Sequence, residues 1–73
     1  MKDFSELLDK KTDELAQEIN DSVLVNCFRF GASWVIEPRD DENQYINFFV
    51  TERTENNMLY YEKGKEWAKS IFH

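Results

Sequence analysis

Cys27, His73 and the acidic run Asp40-Asp41-Glu42 are the groups in this chain whose types could do chemistry. A thiol and an imidazole can support nucleophilic catalysis when nucleophile, base and orienting group converge in a pocket. Cys27 lies in the middle of a largely apolar segment of strand character, near Val25 and Phe28, where burial leaves a thiol inert. His73 is the sole imidazole and the last residue, and it reads as an exposed tail residue rather than a held base. A calcium loop spaces its carboxylates at alternate positions around a central glycine. Residues 40–42 are contiguous acids without glycine and read as a solvated turn. The two glycines stand 33 positions apart, so no phosphate-cradling loop forms. The expectation is a non-enzymatic chain with no catalytic residue, no metal site and no cofactor.

Two residue sets suit binding instead. Glu6, Asp9 and Asp13 fall on one side of the first segment when it is wound as a helix. A carboxylate ridge of this kind steers association with a basic surface, although a solvated face is the plainer reading. Tyr45, Phe49 and Tyr60 are the second set. Phe48-Phe49 and Tyr60-Tyr61 are adjacent pairs, and on strands neighbours point to opposite faces, which leaves one ring of each pair outside the core. Outward aromatics can stack bases, but phosphate neutralisation supplies most non-specific nucleic-acid affinity. A formal charge of −6, from fifteen Asp and Glu against nine Lys and Arg, opposes it. Association with another protein carrying a basic surface is the expected role of both sets. The bulk traits are similar to those of small phage-type inhibitors that occupy the nucleic-acid groove of a host enzyme, with no motif in common. A self-associating, homodimeric structural or regulatory subunit is the alternative.

The chain is short for a core of its own. At this mass, scaling rules give roughly 8,000 Å² buried on folding, worth about 110 kcal/mol if a little over half is apolar. Ordering the residues at ~1.5 kcal/mol each costs about 110 kcal/mol as well. A lone cysteine excludes an internal disulfide, so eleven Phe, Trp and Tyr or a partner must supply the margin. No signal-peptide pattern and no bilayer-length apolar run is present, and a cytoplasmic location without membrane contact is expected.

The elements that would position these residues follow from periodicity. Residues 3–20 read as an amphipathic helix: Phe4, Leu8, Leu15 and Ile19 lie within about 60° of arc, with Asp3 and Glu6 suited to its start. The period then changes to two. Residues 22–30 alternate as a strand, Gly31-Ala32 fits a hairpin turn, and 33–37 make a second strand stopped by Pro38. Whether 22–37 is a hairpin or one bent strand stays open. Residues 39–43 form a charged loop, 44–53 a third strand, 54–57 a turn and 58–62 a short fourth strand. Gly64 breaks it, and 65–72 closes the chain as a helix with Trp67, Ala68, Ile71 and Phe72 inward. The expected fold class is thus α+β: one two-layer domain over residues 1–73, with an N-terminal helix, an antiparallel meander of three or four strands and a short C-terminal helix. Helices bracketing strands are similar in topology to double-stranded-RNA-binding domains. Gly64-Lys65-Glu66-Trp67 does not supply the lysine cluster of those domains, and no family is assigned.

Overall fold

The computed structural model describes residues 3–38 and 41–72, and among these there is no strand. Four helices follow one another: α1 (Phe4–Ile19), α2 (Ser22–Ile36), α3 (Glu42–Phe49) and α4 (Glu55–Phe72). The α+β expectation is therefore overturned, and the meander with it. Its first three segments lie in α2 and α3, its fourth in α4. Arg39, Asp40 and His73 lie outside the described residues.

Local chemistry sets the helix ends. Asp3, Asp21 and Asp41 each sit in extended backbone before a helix and accept amide N–H groups that have no partner within it. The Asp3 carboxylate takes the N–H of Ser5, Asp21 those of Val23 and Leu24, and Asp41 that of Asn43. Asn20 closes α1 in the left-handed region at φ 49°, a conformation asparagine tolerates better than most residues. Pro38 does stop an element, but that element is α2.

The two glycines are neither a turn nor a breaker. Gly31 is buried within α2 and Gly64 within α4, and they face each other across a helix crossing. A Cβ on Gly31 would lie 2.9 Å from the Tyr61 carbonyl carbon and 3.3 Å from the Lys65 nitrogen. A Cβ on Gly64 would lie 2.8 Å from the Phe28 carbonyl carbon and 3.1 Å from the Ala32 nitrogen. Only the absence of side chains lets the backbones approach this closely. Ala32 and Ala68, both fully buried, extend the same small-residue seam.

The residues that meet give the directions of the helices. Cys27 clusters with Met58 and Tyr61 near the starts of α2 and α4, while Phe72 at the end of α4 meets Phe4, whose cluster includes Val35 late in α2. The paired helices α2 and α4 thus run the same way, and α1 and α3 run against them. Leu8, Leu15, Phe28, Ala32 and Ala68 form the core on the α1 side; Cys27, Ile46, Val50 and Tyr61 form the core on the α3 side. The result is a slab of 33 × 30 × 16 Å with α2 and α4 as its middle. Its accessible surface of 5153 Å² exceeds the roughly 4,800 Å² usual at this mass, as expected for a thin body. At the C-terminal end only Ala68 is sealed in; Ile71 and Phe72, expected inside, are exposed.

Candidate functional site

Helix α3 is two turns long, and its sequence divides it sharply. Ile46 and the following Val50 are buried against α2 and α4. At its start, Glu42 reaches α4, where its Oε2 accepts from Tyr61 Oη at 3.0 Å and from Lys65 Nζ at 2.7 Å. Partial burial works against the Glu42 charge. The bonds from Lys65 and Tyr61, with the Lys65 and Lys69 charges, outweigh it and hold the carboxyl below its ordinary value. Tyr61 has no accessible surface. Its phenol is pushed far above the usual range, by burial first and then by the carboxylate it donates to. Arg53 folds back on the opposite flank of α3, donating to the Asn43 carbonyl and the Asn47 side chain.

What remains on α3 is Tyr45, Phe48 and Phe49, a helical stripe at i, i+3 and i+4. The Tyr45 hydroxyl donates to the Phe30 carbonyl at 2.7 Å, which fixes the stripe against α2. The rings then form one continuous surface. Trp34 meets Tyr45 at 5.2 Å between centroids, Tyr45 meets Phe49 at 4.8 Å, and Phe49 meets Phe30 at 4.9 Å and Phe48 at 4.8 Å. Phe48 is 76% exposed, and Val23 at the start of α2 is also open. The Phe30–Phe49 contact separates two shallow depressions. One, of about 270 Å³, is flanked by Ser33 and Glu37; the other, of about 240 Å³, by Val23 and Thr51.

The residues expected to bind a partner do not come together. Tyr45 is half-buried and Phe49 partly exposed, both within the aromatic face. Tyr60 lies on α4 beside α1, half-buried, with Lys63 Nζ 4.7 Å above its ring. Glu6, Asp9 and Asp13 are exposed on α1, on the far side of the α2–α4 pair. Asp9 is moreover used internally. Its Oδ1 pairs with an Arg29 guanidinium nitrogen at 2.5 Å, and the other guanidinium nitrogen donates to the buried Thr12 hydroxyl at 3.2 Å. Glu6 and Asp13 make no ion pair among the described residues. Phe30, Trp34, Phe48 and Val23 were not among the expected contact residues. The signal that finds three of the rings is the 45/48/49 spacing itself, which is helical rather than alternating.

Among the described residues, no three His, Cys, Asp or Glu side chains are grouped to hold a metal ion. Cys27 is buried, and burial, aided by the Asp21 charge, pushes its thiol up and away from the reactive thiolate. No described helix is long and apolar enough to cross a membrane. No family model, curated protein or solved structure matches the chain, so the reading of this face rests on its own geometry.

Proposed function

We propose that this chain is a non-enzymatic protein-binding module that docks through the aromatic face of α2 and α3. The observation that carries the reading is Phe48, 76% exposed yet in ring contact with Phe49. Burying such a ring is worth about 1.5–3 kcal/mol, and large aromatics at the centre of a patch are the usual anchors of an interface. Glu37 lines one of the depressions, and the exposed Asp41 and Glu52 stand just before and just after α3, while Arg53 is tied to α3. The fitting partner is therefore an apolar surface with a basic rim. The nucleic-acid-binding surface of another protein has that chemistry, and occupying it would make the module an inhibitor.

The α1 carboxylates have a smaller share in this docking. Packed helices lie about 8–10 Å apart, so α1 and α3, on either side of α2, are separated by roughly two screening lengths at physiological salt. Steering then falls to the acids that border the rings. A second copy of the chain could use the same rings, and the charge of −6 on each copy works against that assembly.

Paired affinity capture with the wild-type chain and Phe48→Glu tests the proposal. A protein retained by the wild type and lost by the variant, at unchanged melting temperature, is the expected outcome. Its association rate should fall as salt rises. Retention of the same protein by both baits would remove the aromatic face from the interaction. A melting temperature that climbs with protein concentration in the wild type alone would move the assignment to self-association.

A further inference from the structure

Another concavity lies between α1 and α4, away from the aromatic face, and its chemistry is different. It is an open cleft of about 470 Å³, within the range of small-molecule sites. Phe28, Tyr60 and Trp67 give it aromatic walls, Leu15 an aliphatic one, and Lys11 and Lys63 stand at its edge with Glu18.

The charge there runs against the rest of the molecule. Acids outnumber bases by fifteen to nine over the chain, yet two cations and one anion line this cleft. Neither lysine forms an ion pair among the described residues. Lys11 is half-buried, and the Lys63 ammonium lies over the Tyr60 ring at 4.7 Å rather than beside a carboxylate. Neither ammonium has a carboxylate partner among the described residues, and an anion held between them would form a charge-assisted bond with each. No arginine lines the cleft, so an anionic head group would meet two point charges rather than a bidentate fork.

We infer that this cleft binds a single-headed amphiphilic anion: a medium-chain organic carboxylate, its tail against Leu15, Phe28, Tyr60 and Trp67 and its head between Lys11 and Lys63. The assignment does not depend on the protein-binding face, which lies on the other side of the α2–α4 pair.

Trp67 in the cleft wall supplies the readout. Decanoate, decanol and decyltrimethylammonium are titrated against the whole chain while tryptophan emission is followed, with Trp34→Phe isolating Trp67. Saturable binding of decanoate is expected, with each tail methylene tightening it about three- to fourfold until the cleft is filled. Decanol and the ammonium amphiphile should bind at least about tenfold more weakly, since neither brings a negative charge to the two lysines. Lys11→Glu with Lys63→Glu should weaken decanoate binding by a similar factor without moving the thermal melt. Equal affinity for the three head groups, an unaltered affinity in the double variant, or no saturation by decanoate would each overturn the assignment. If the double variant melts early, the head-group comparison in the wild type decides alone.

Discussion

Replacing Gly64 by alanine probes the feature on which the whole fold depends. The new methyl would overlap the Phe28 carbonyl oxygen and would lie 2.8 Å from that carbonyl's carbon and 3.1 Å from the Ala32 nitrogen, whereas carbon atoms pack best at about 3.5–4.0 Å. Both obstacles are backbone, so no rotamer change relieves them, and α2 and α4 must part by about 1 Å. A gap of that size forfeits a quarter to a half of the dispersion at each contact it opens. It opens them among Cys27, Phe28, Ala32, Tyr61 and Ala68, all buried. Against this, alanine gains about 1 kcal/mol over glycine in a helix interior. Overpacking typically costs ~1–3 kcal/mol and the lost contacts add to it, giving a net destabilisation of about 2–4 kcal/mol. Total stability at this length is about 4–11 kcal/mol, so the melting temperature should fall by about 13–26 °C. Thermal and urea denaturation followed by circular dichroism measure it, with the exposed Glu66→Ala as the control for helix propensity. Gly31→Ala should behave alike, and the double variant should cost less than the sum, because one separation of the helices relieves both overlaps. A Gly64→Ala chain that melts at or above the wild-type temperature would refute the backbone contact.

Two further outcomes follow from the titratable groups. Glu42 is held below its ordinary value of 4.5, so its contribution is complete above that value and disappears as pH falls through the lowered one. Glu42→Gln should therefore lower stability at neutral pH and flatten its decline in acid, as read from urea midpoints between about pH 7 and pH 3; parallel wild-type and variant curves would deny Glu42 that role. Cys27, buried beneath Ile46 and Val50 with a raised thiol value, should react with an aromatic disulfide reagent only as fast as α3 lifts away, and faster in Ile46→Ala; reaction at the rate of a free thiol would contradict its burial.

The first helix is legible because its polar and apolar residues separate cleanly at the helical period. Leu8, Thr12 and Leu15 are buried as that period requires, and Asp3 caps it. Segment 22–36 conceals its period because it is apolar on nearly every side: Val23, Val25 and Cys27 alternate as well as Leu24, Phe28 and Ala32 repeat helically. Rings and β-branched residues in 44–53 fit a pleated surface by propensity, yet packing of Ile46 and Val50 against the paired helices wins. Asn57, Tyr61, Gly64 and Ala68, the buried face of α4, already carry helical spacing; reading Gly64 as a breaker hides it. Isolated glycine in a helix has a packing reason when it is buried, and here the reason is a second glycine 33 residues away, which local pattern cannot reveal. The binding residues were separated for the same cause: faces assigned on a sheet do not survive its replacement by helices.

The placement of α1 and α3 on opposite sides of the central pair sets how this protein opens. Eight residues make a helix too short to persist unaided, and α3 is retained by Ile46, the adjoining Val50, the Tyr45 hydroxyl and the Glu42 fork. None of these touches α1, so α3 can detach while Leu8 and Leu15 keep their seats on Phe28 and Ala32. Amide exchange would register such an event as a sub-global unit, protected less than the glycine seam. A partner gripping Phe48 pulls on the least anchored helix of the four, and can reshape its own docking surface without unfolding the body that carries it.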